Sequence, residues 1–133
     1  MHHRALFYTQ AIILLIVGAT HVAALQWSLY WHFLWLDIPV HFLSGAWVAL
    51  AAAWFLDWQK YPIGVFRALS IVLVFGAAWE LFEITAGVPL EVNYAFDTTL
   101  DLLMDIAGGA CGFFAAQRML QSANNAEIQN NPS

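Results

Sequence analysis

The chain has little of what a soluble or disulfide-bonded domain needs. Only 10% of its 133 residues are charged, and four of them are lysine or arginine. A nucleic-acid surface is excluded, because such surfaces rest on clusters of basic side chains. The single cysteine, Cys111, cannot form an internal disulfide, and its apolar, glycine-rich surroundings are typical of a small buried side chain.

Apolar residues are what the chain has in excess. They make up 62% of the sequence, and the mean hydropathy is +0.67, which is typical of a membrane protein. A helix rises about 1.5 Å per residue and the hydrocarbon core is about 30 Å thick. The length therefore accommodates spans of about 20 residues joined by short loops, with no separate soluble domain. We expect an all-α polytopic membrane protein with a single four-helix transmembrane domain over residues 1–120.

Four apolar runs predict the transmembrane helices, at about 5–27, 38–58, 63–85 and 98–119. Trp27, Trp31 and Trp35 are spaced four residues apart, which predicts a short interfacial helix between the first two spans. Asp37 and Asp97 precede the second and fourth runs as candidate N-caps. Residues 121–133 have no apolar period, so we expect a disordered cytoplasmic tail there.

The basic residues predict the orientation. If the chain crosses four times, they all fall on one side: Arg4, Lys60, Arg67 and Arg118. The positive-inside rule makes that side cytoplasmic and places both termini there. A cleaved signal peptide is the competing interpretation of the first run, which is long for one.

The acidic residues fall toward the opposite side. Seven of the nine do so, with His41 among them: Asp37, Glu80, Glu83, Glu91, Asp97, Asp101 and Asp105. Ionisable groups are costly at membrane depth and mark a functional site by default. Spacings of three and four residues put the polar groups of each helix on one stripe, and in a four-helix bundle these stripes can meet.

The expected depth of each residue in the membrane identifies the candidate site. Carboxylates packed together cannot all be ionised, so either a divalent cation sits among them or several share protons. The candidate metal ligands are the deeper residues His41, Glu80, Glu83, Asp101 and Asp105. A mixed carboxylate and imidazole set favours Zn, Mn, Fe or Mg. Glu83, nearer the surface than Glu80, is the candidate general base, whereas Glu91 is assigned to a solvated loop.

Small residues predict close helix packing. Gly108 and Gly112 form a GxxxG pair, and Gly45, Ala49 and Ala53 form a small-residue row on the second helix. These faces allow the helices of one chain to approach, or two chains to associate as a homo- or hetero-oligomer.

The order of the polar motifs resembles a known family. The motifs are Asp37-Ile-Pro-Val-His41-Phe-Leu-Ser-Gly45, Trp79-Glu80-Leu-Phe-Glu83 and Asp97-Thr-Thr-Leu-Asp101-Leu-Leu-Met-Asp105-Ile-Ala-Gly108. Residues 37–112 resemble YjdF-like membrane proteins and, more distantly, VanZ-like proteins. Asp105 departs from the VanZ-like pattern, which commonly carries Asn there. The resemblance implies a bacterial or archaeal inner-membrane protein.

Three functions are compatible with these residues. The first is a metal-dependent membrane hydrolase or transferase that acts on a lipid or envelope headgroup. The second is a transport protein that receives a cation or proton at the same cluster, although the opposite halves of the helices offer few polar groups for a path. The third is a non-catalytic membrane partner whose polar cluster locks the helices together.

Overall fold

The described part of the protein, residues 2–86 and 93–130 of a computed structural model, is helical and contains no strand. Its helices are α1 (His2–Gln26), α2 (Leu29–His32), α3 (Asp37–Trp58), α4 (Val65–Ala86) and α5 (Tyr94–Asn130). A 3-10 turn, Leu34–Leu36, joins α2 to α3. The four long helices α1, α3, α4 and α5 are long and apolar enough to cross a membrane, which confirms the predicted all-α four-helix membrane bundle.

The long helices alternate in direction, so the bundle has two chemically distinct ends. At one end Leu6 packs with Leu50, Ala53 and Ala116, and the Gln117 side chain donates a hydrogen bond to the Ile63 carbonyl. The chain's lysine and arginines flank these residues in the sequence, and we call this the basic end. The opposite end, which carries the C-termini of α1 and α4 and the N-termini of α3 and α5, is called the acidic end.

The centre of the bundle is the close packing of α3 on α5. A Cβ atom at Gly108 would collide with the Phe42 carbonyl group, and one at Gly112 would lie 2.9 Å from the Ala46 Cα atom. Only glycine at these positions lets the two backbones approach so closely. The GxxxG pair therefore packs α5 against α3 within one chain.

The helix α1 lies at the periphery. It packs mainly on α3, makes a smaller contact with α5, and its backbone scarcely approaches that of α4. The Trp47 indole N–H donates a hydrogen bond of 2.8 Å to the Gln10 side-chain oxygen, which joins α3 to α1 halfway along the bundle. Consequently α1 and α4 flank a gap over α3.

Both capping predictions are wrong. The helix α3 begins at Asp37 itself, because the preceding 3-10 turn already places Leu36 at the N-cap position, without a side-chain hydrogen bond. The helix α5 begins at Tyr94, so Asp97 lies in its first turn and donates its backbone N–H to the Asn93 carbonyl. Both carboxylates are thus available for other contacts.

The C-terminal segment also differs from its expected disorder. The helix α5 continues through residues 121–130, where the sequence predicted a disordered tail from 121 to 133. This stretch has no glycine or proline before Pro132, and a helix already formed extends at little cost per residue. Residues 131–133 lie outside the described part of the protein, as does Glu91.

Candidate metal centre

His41 is the central residue of the polar cluster. It lies one turn into α3 with 4% of its surface exposed, and its ring is held between carboxylates of α3 and α5. The Nε2 atom lies 3.6 Å from Asp37 Oδ1 and 3.9 Å from Asp101 Oδ1. The Nδ1 atom lies 3.5 Å from Asp105 Oδ2. The two ring nitrogens therefore face different carboxylates.

The donor set on the Nε2 side fits a divalent ion. Asp37, His41 and Asp101 each offer one ligand atom, and these atoms lie within 4.8 Å of one another. Two ligands on opposite sides of a Zn or Mg ion lie about 4 Å apart, because each bond is about 2.0–2.2 Å long. Small side-chain adjustments would therefore close the three atoms around one ion.

Asp105 occupies a space that glycines provide. A Cβ atom at Gly76 of α4 would lie 2.5 Å from Asp105 Oδ2, and one at Gly45 of α3 would collide with the Asp105 carbonyl group. The carboxylate of Asp105, whose residue is 4% exposed, is thereby fixed against the Nδ1 face of His41. A carboxylate on the second nitrogen is the usual way in which a metal-bound histidine is oriented.

Glu80 contacts a different set of residues. The Thr98 hydroxyl donates a hydrogen bond of 2.7 Å to Glu80 Oε2, and the Tyr94 hydroxyl lies 3.5 Å from the same oxygen. Within the described residues, the buried Oε1 atom has no hydrogen-bond partner. Glu80 thus joins α4 to α5 beside the His41 cluster, with one oxygen still able to accept.

Thr98→Val should destabilise the protein by about 1–3 kcal/mol, because it removes the short hydrogen bond to a buried carboxylate. Denaturant or thermal unfolding in detergent would measure the loss, and Thr98→Ser should restore most of it. Thr99→Val is the matched control, since Thr99 is exposed and, among the described residues, its hydroxyl bonds only to the Ala95 carbonyl of its own helix. Equal losses at both positions would contradict the assignment.

Glu83 faces a cavity at the acidic end that we call the outer chamber. The Trp79 indole N–H donates a hydrogen bond of 3.0 Å to Glu83 Oε1. The outer chamber has a volume of about 320 Å³, and its lining includes the carboxylates of Asp37, Glu83 and Asp97. Its described lining contains no lysine or arginine.

Tyr30 contributes a hydroxyl group to the outer chamber. Burial, reinforced by the nearby Asp37 and Glu83 carboxylates, raises the pKa of the Tyr30 phenol. The phenol is therefore protonated over the whole physiological range, and its hydroxyl group forms a 2.8 Å hydrogen bond with His21 Nδ1.

The structure brings together some of the candidate ligands and separates others. His41, Asp101 and Asp105 meet, whereas Glu80 and Glu83 are bonded to Thr98 and Trp79 instead. Asp37, which the sequence assigned to capping, joins the group through its i,i+4 spacing to His41. The i,i+4 spacing was therefore the sequence signal that Asp37 belongs to the His41 cluster. Thr98 likewise lies three residues before Asp101, on the same stripe of α5.

Comparison with known proteins identifies the family. Residues 3–122 match the family described as "Predicted membrane protein (DUF2238)". The chain belongs to this family. The match establishes membership of a membrane-protein family and does not extend to the YjdF-like or VanZ-like assignment. No curated protein and no solved structure matches the chain significantly.

Proposed function

We propose that this DUF2238 protein is a metal-dependent membrane hydrolase or transferase that acts on a lipid or envelope headgroup. The divalent ion, Zn, Mn, Fe or Mg, is held by Asp37, His41 and Asp101. The arrangement of carboxylates around His41 carries the proposal, since Nε2 faces two carboxylates that could share an ion and Nδ1 faces a third that could orient the ring.

Three protein ligands leave a coordination position open, as in catalytic metal sites. A bound ion would supply a Lewis acid and an activated water there. Asp37 is the ligand that reaches the outer chamber, and its side chain is 35% exposed, compared with 5% for Asp101. Glu83 lines the same chamber, which supports it as the general base of the proposed reaction.

A structural role is the second candidate, and the packing of α3 on α5 favours it. The His41 cluster lies at the same helix contact as Gly45 and Gly108, so the cluster could fix the relative position of the two helices. Transport has less support. Between Asp105 and the basic end, the described core is formed by apolar side chains such as Ala49, Val72 and Phe113.

The cytoplasmic membrane of a bacterium or archaeon is the proposed location, with both termini cytoplasmic. The motif order shared with YjdF-like proteins, and more distantly with VanZ-like proteins, supports it. So does the position of the basic residues, which by the positive-inside rule places the acidic end and its outer chamber on the external side.

Metal content tests the proposal directly. The wild-type protein, purified in detergent and loaded with each candidate ion, should retain about one ion per chain by elemental mass spectrometry. Asp101→Asn and His41→Ala should weaken binding well beyond tenfold, and Asp105→Asn by about 10–100-fold. Acidification should release the ion, because its ligands must be deprotonated.

Asp97→Asn is the matched control, because Asp97 lies on α5 at the same end of the bundle but outside the three-ligand group. It should retain the ion. A wild-type protein that retains none of the four metals at neutral pH would exclude the proposed site. Equal retention by all variants would place the ion elsewhere.

A further inference from the structure

The gap between α1 and α4 contains an apolar groove over α3. Its volume is about 240 Å³, and its lining includes Val17 and Gly18 of α1, Val48 of α3 and Phe75 of α4. A Cβ atom at Gly18 would meet nothing within 4 Å, so there is open space in front of this residue. Apolar cavities stay dry, and the backbones of the two flanking helices scarcely approach each other. In a membrane, hydrocarbon is therefore the natural occupant of this groove.

The groove continues into the outer chamber. His21 and Trp79 line both spaces, and their rings meet edge to face with centroids 5.2 Å apart. The described lining is mostly apolar in the groove, where Asp105 contributes one carboxylate, and it gains three carboxylates in the chamber, within one helix turn of α1 and α4. Such a change suits an amphiphile that lies along the bundle with its headgroup at the acidic end.

The charge of the chamber selects the headgroup. Glu83 and Asp97, which lie outside the proposed metal ligands, contribute carboxylates, and Tyr30, Trp31 and Trp79 contribute aromatic rings. Carboxylates and aromatic faces together form the usual binding site for an ammonium group. The described lining of the chamber contains no lysine or arginine side chain that would favour an anionic headgroup.

We propose that the groove and the outer chamber together bind one membrane lipid with an ammonium headgroup, a hydrocarbon chain in the groove and the ammonium group in the chamber. His41 lines the groove and Asp37 lines the chamber, so the metal ligands lie between the two, where the linkage of such a lipid would pass. As the substrate class of the enzyme, this lipid rests on the proposed function, but its binding requires no ion.

Native mass spectrometry of the delipidated full-length protein tests the inference. Phosphatidylethanolamine, which carries an ammonium group, and phosphatidylglycerol with the same chains, which carries none, are titrated in the presence of EDTA. One phosphatidylethanolamine should bind about tenfold more tightly than phosphatidylglycerol, the ratio expected from one desolvated ammonium–aromatic contact with carboxylate support. Glu83→Gln should narrow this ratio several-fold.

Gly18→Phe should fill the groove and weaken phosphatidylethanolamine binding at least about tenfold. Leu15→Phe is the matched control, because Leu15 is 71% exposed on α1 and does not line the groove, and it should bind as wild type does. If the melting temperature of Gly18→Phe falls below that of wild type, Gly18→Leu is measured in its place.

Each part of the inference has its own contrary result. Equal affinity for the two lipids would overturn the ammonium headgroup, and unchanged binding by a folded Gly18 variant would overturn the groove. Tight binding of ethanolamine alone, without dependence on a chain, would also overturn the groove. Metal retained by a protein that shows no lipid preference refutes this inference and leaves the proposed function standing. A lipid preference in a protein that binds no metal refutes the proposed function and leaves this inference standing.

Discussion

Adding one methyl group at Gly108 is expected to disrupt the fold. In Gly108→Ala the new Cβ atom would collide with the Phe42 carbonyl oxygen and lie 2.7 Å from its carbon. Both obstacles are backbone atoms of α3, so no side-chain rotation can relieve the contact and the helices must move apart. We expect a loss of at least about 3 kcal/mol, the upper end of the usual cost of overpacking.

Gly18→Ala provides a control with the opposite expected sign. Its Cβ atom would enter open space, and alanine is better than glycine inside a helix by about 1 kcal/mol, so this variant should be slightly stabilised. Thermal or denaturant unfolding in the same detergent would compare the two. If Gly108→Ala unfolds at the wild-type midpoint, α3 and α5 are not as close as the structure has them.

The packing of α3 on α5 also holds the polar cluster together. His41 lies one residue before Phe42 on α3, and Asp105 lies three residues before Gly108 on α5. A displacement at Gly108 would therefore separate His41 from the carboxylates of α5. Gly108→Ala should consequently lower metal affinity as well as stability, although Gly108 carries no ligand.

The long helices were predictable from the sequence because each apolar run is near the length that a bilayer requires. The residues at which the helices begin were harder to predict. The cap preference of an aspartate is worth only about 1 kcal/mol, and the 3-10 turn before Asp37 and the start of α5 at Tyr94 override it. The prediction of a disordered tail rested on low apolar content alone, and low apolar content does not determine whether an existing helix continues.

The composition of the polar cluster was only partly predictable. Residue spacing gives the face of each helix on which a side chain lies, but not the rotation of one helix against another. Asp101 and Asp105 meet His41 because glycines bring α5 close to α3. Glu83 shares the acidic end with them, yet α4 directs its carboxylate to Trp79 and the outer chamber. No periodicity in the sequence carries that distinction.

His41→Ala is expected to destabilise the protein by about 3–5 kcal/mol. The substitution leaves Asp101 and Asp105, which are 3% and 4% exposed, without the imidazole that faces both of them. Removing one partner of a buried charged group costs this much because the other partner stays buried and uncompensated. His32→Ala is the control, since His32 is exposed and, within the described part of the protein, its ring bonds only to the Ser28 carbonyl. It should change stability by about 0.5 kcal/mol or less.

Repeating both unfolding measurements with added metal separates the two candidate functions. An ion that binds only the folded protein stabilises it by about 2.7 kcal/mol at 100 times its dissociation constant. Wild type and His32→Ala should gain this stability, and His41→Ala should not, because it has lost the ligand that the ion shares with two carboxylates. If none of the four metals stabilises wild type while His41→Ala still unfolds readily, the cluster is a structural lock between α3 and α5. If His41→Ala is as stable as wild type without added metal, the structural lock is excluded, because that role requires the imidazole to balance the buried carboxylates.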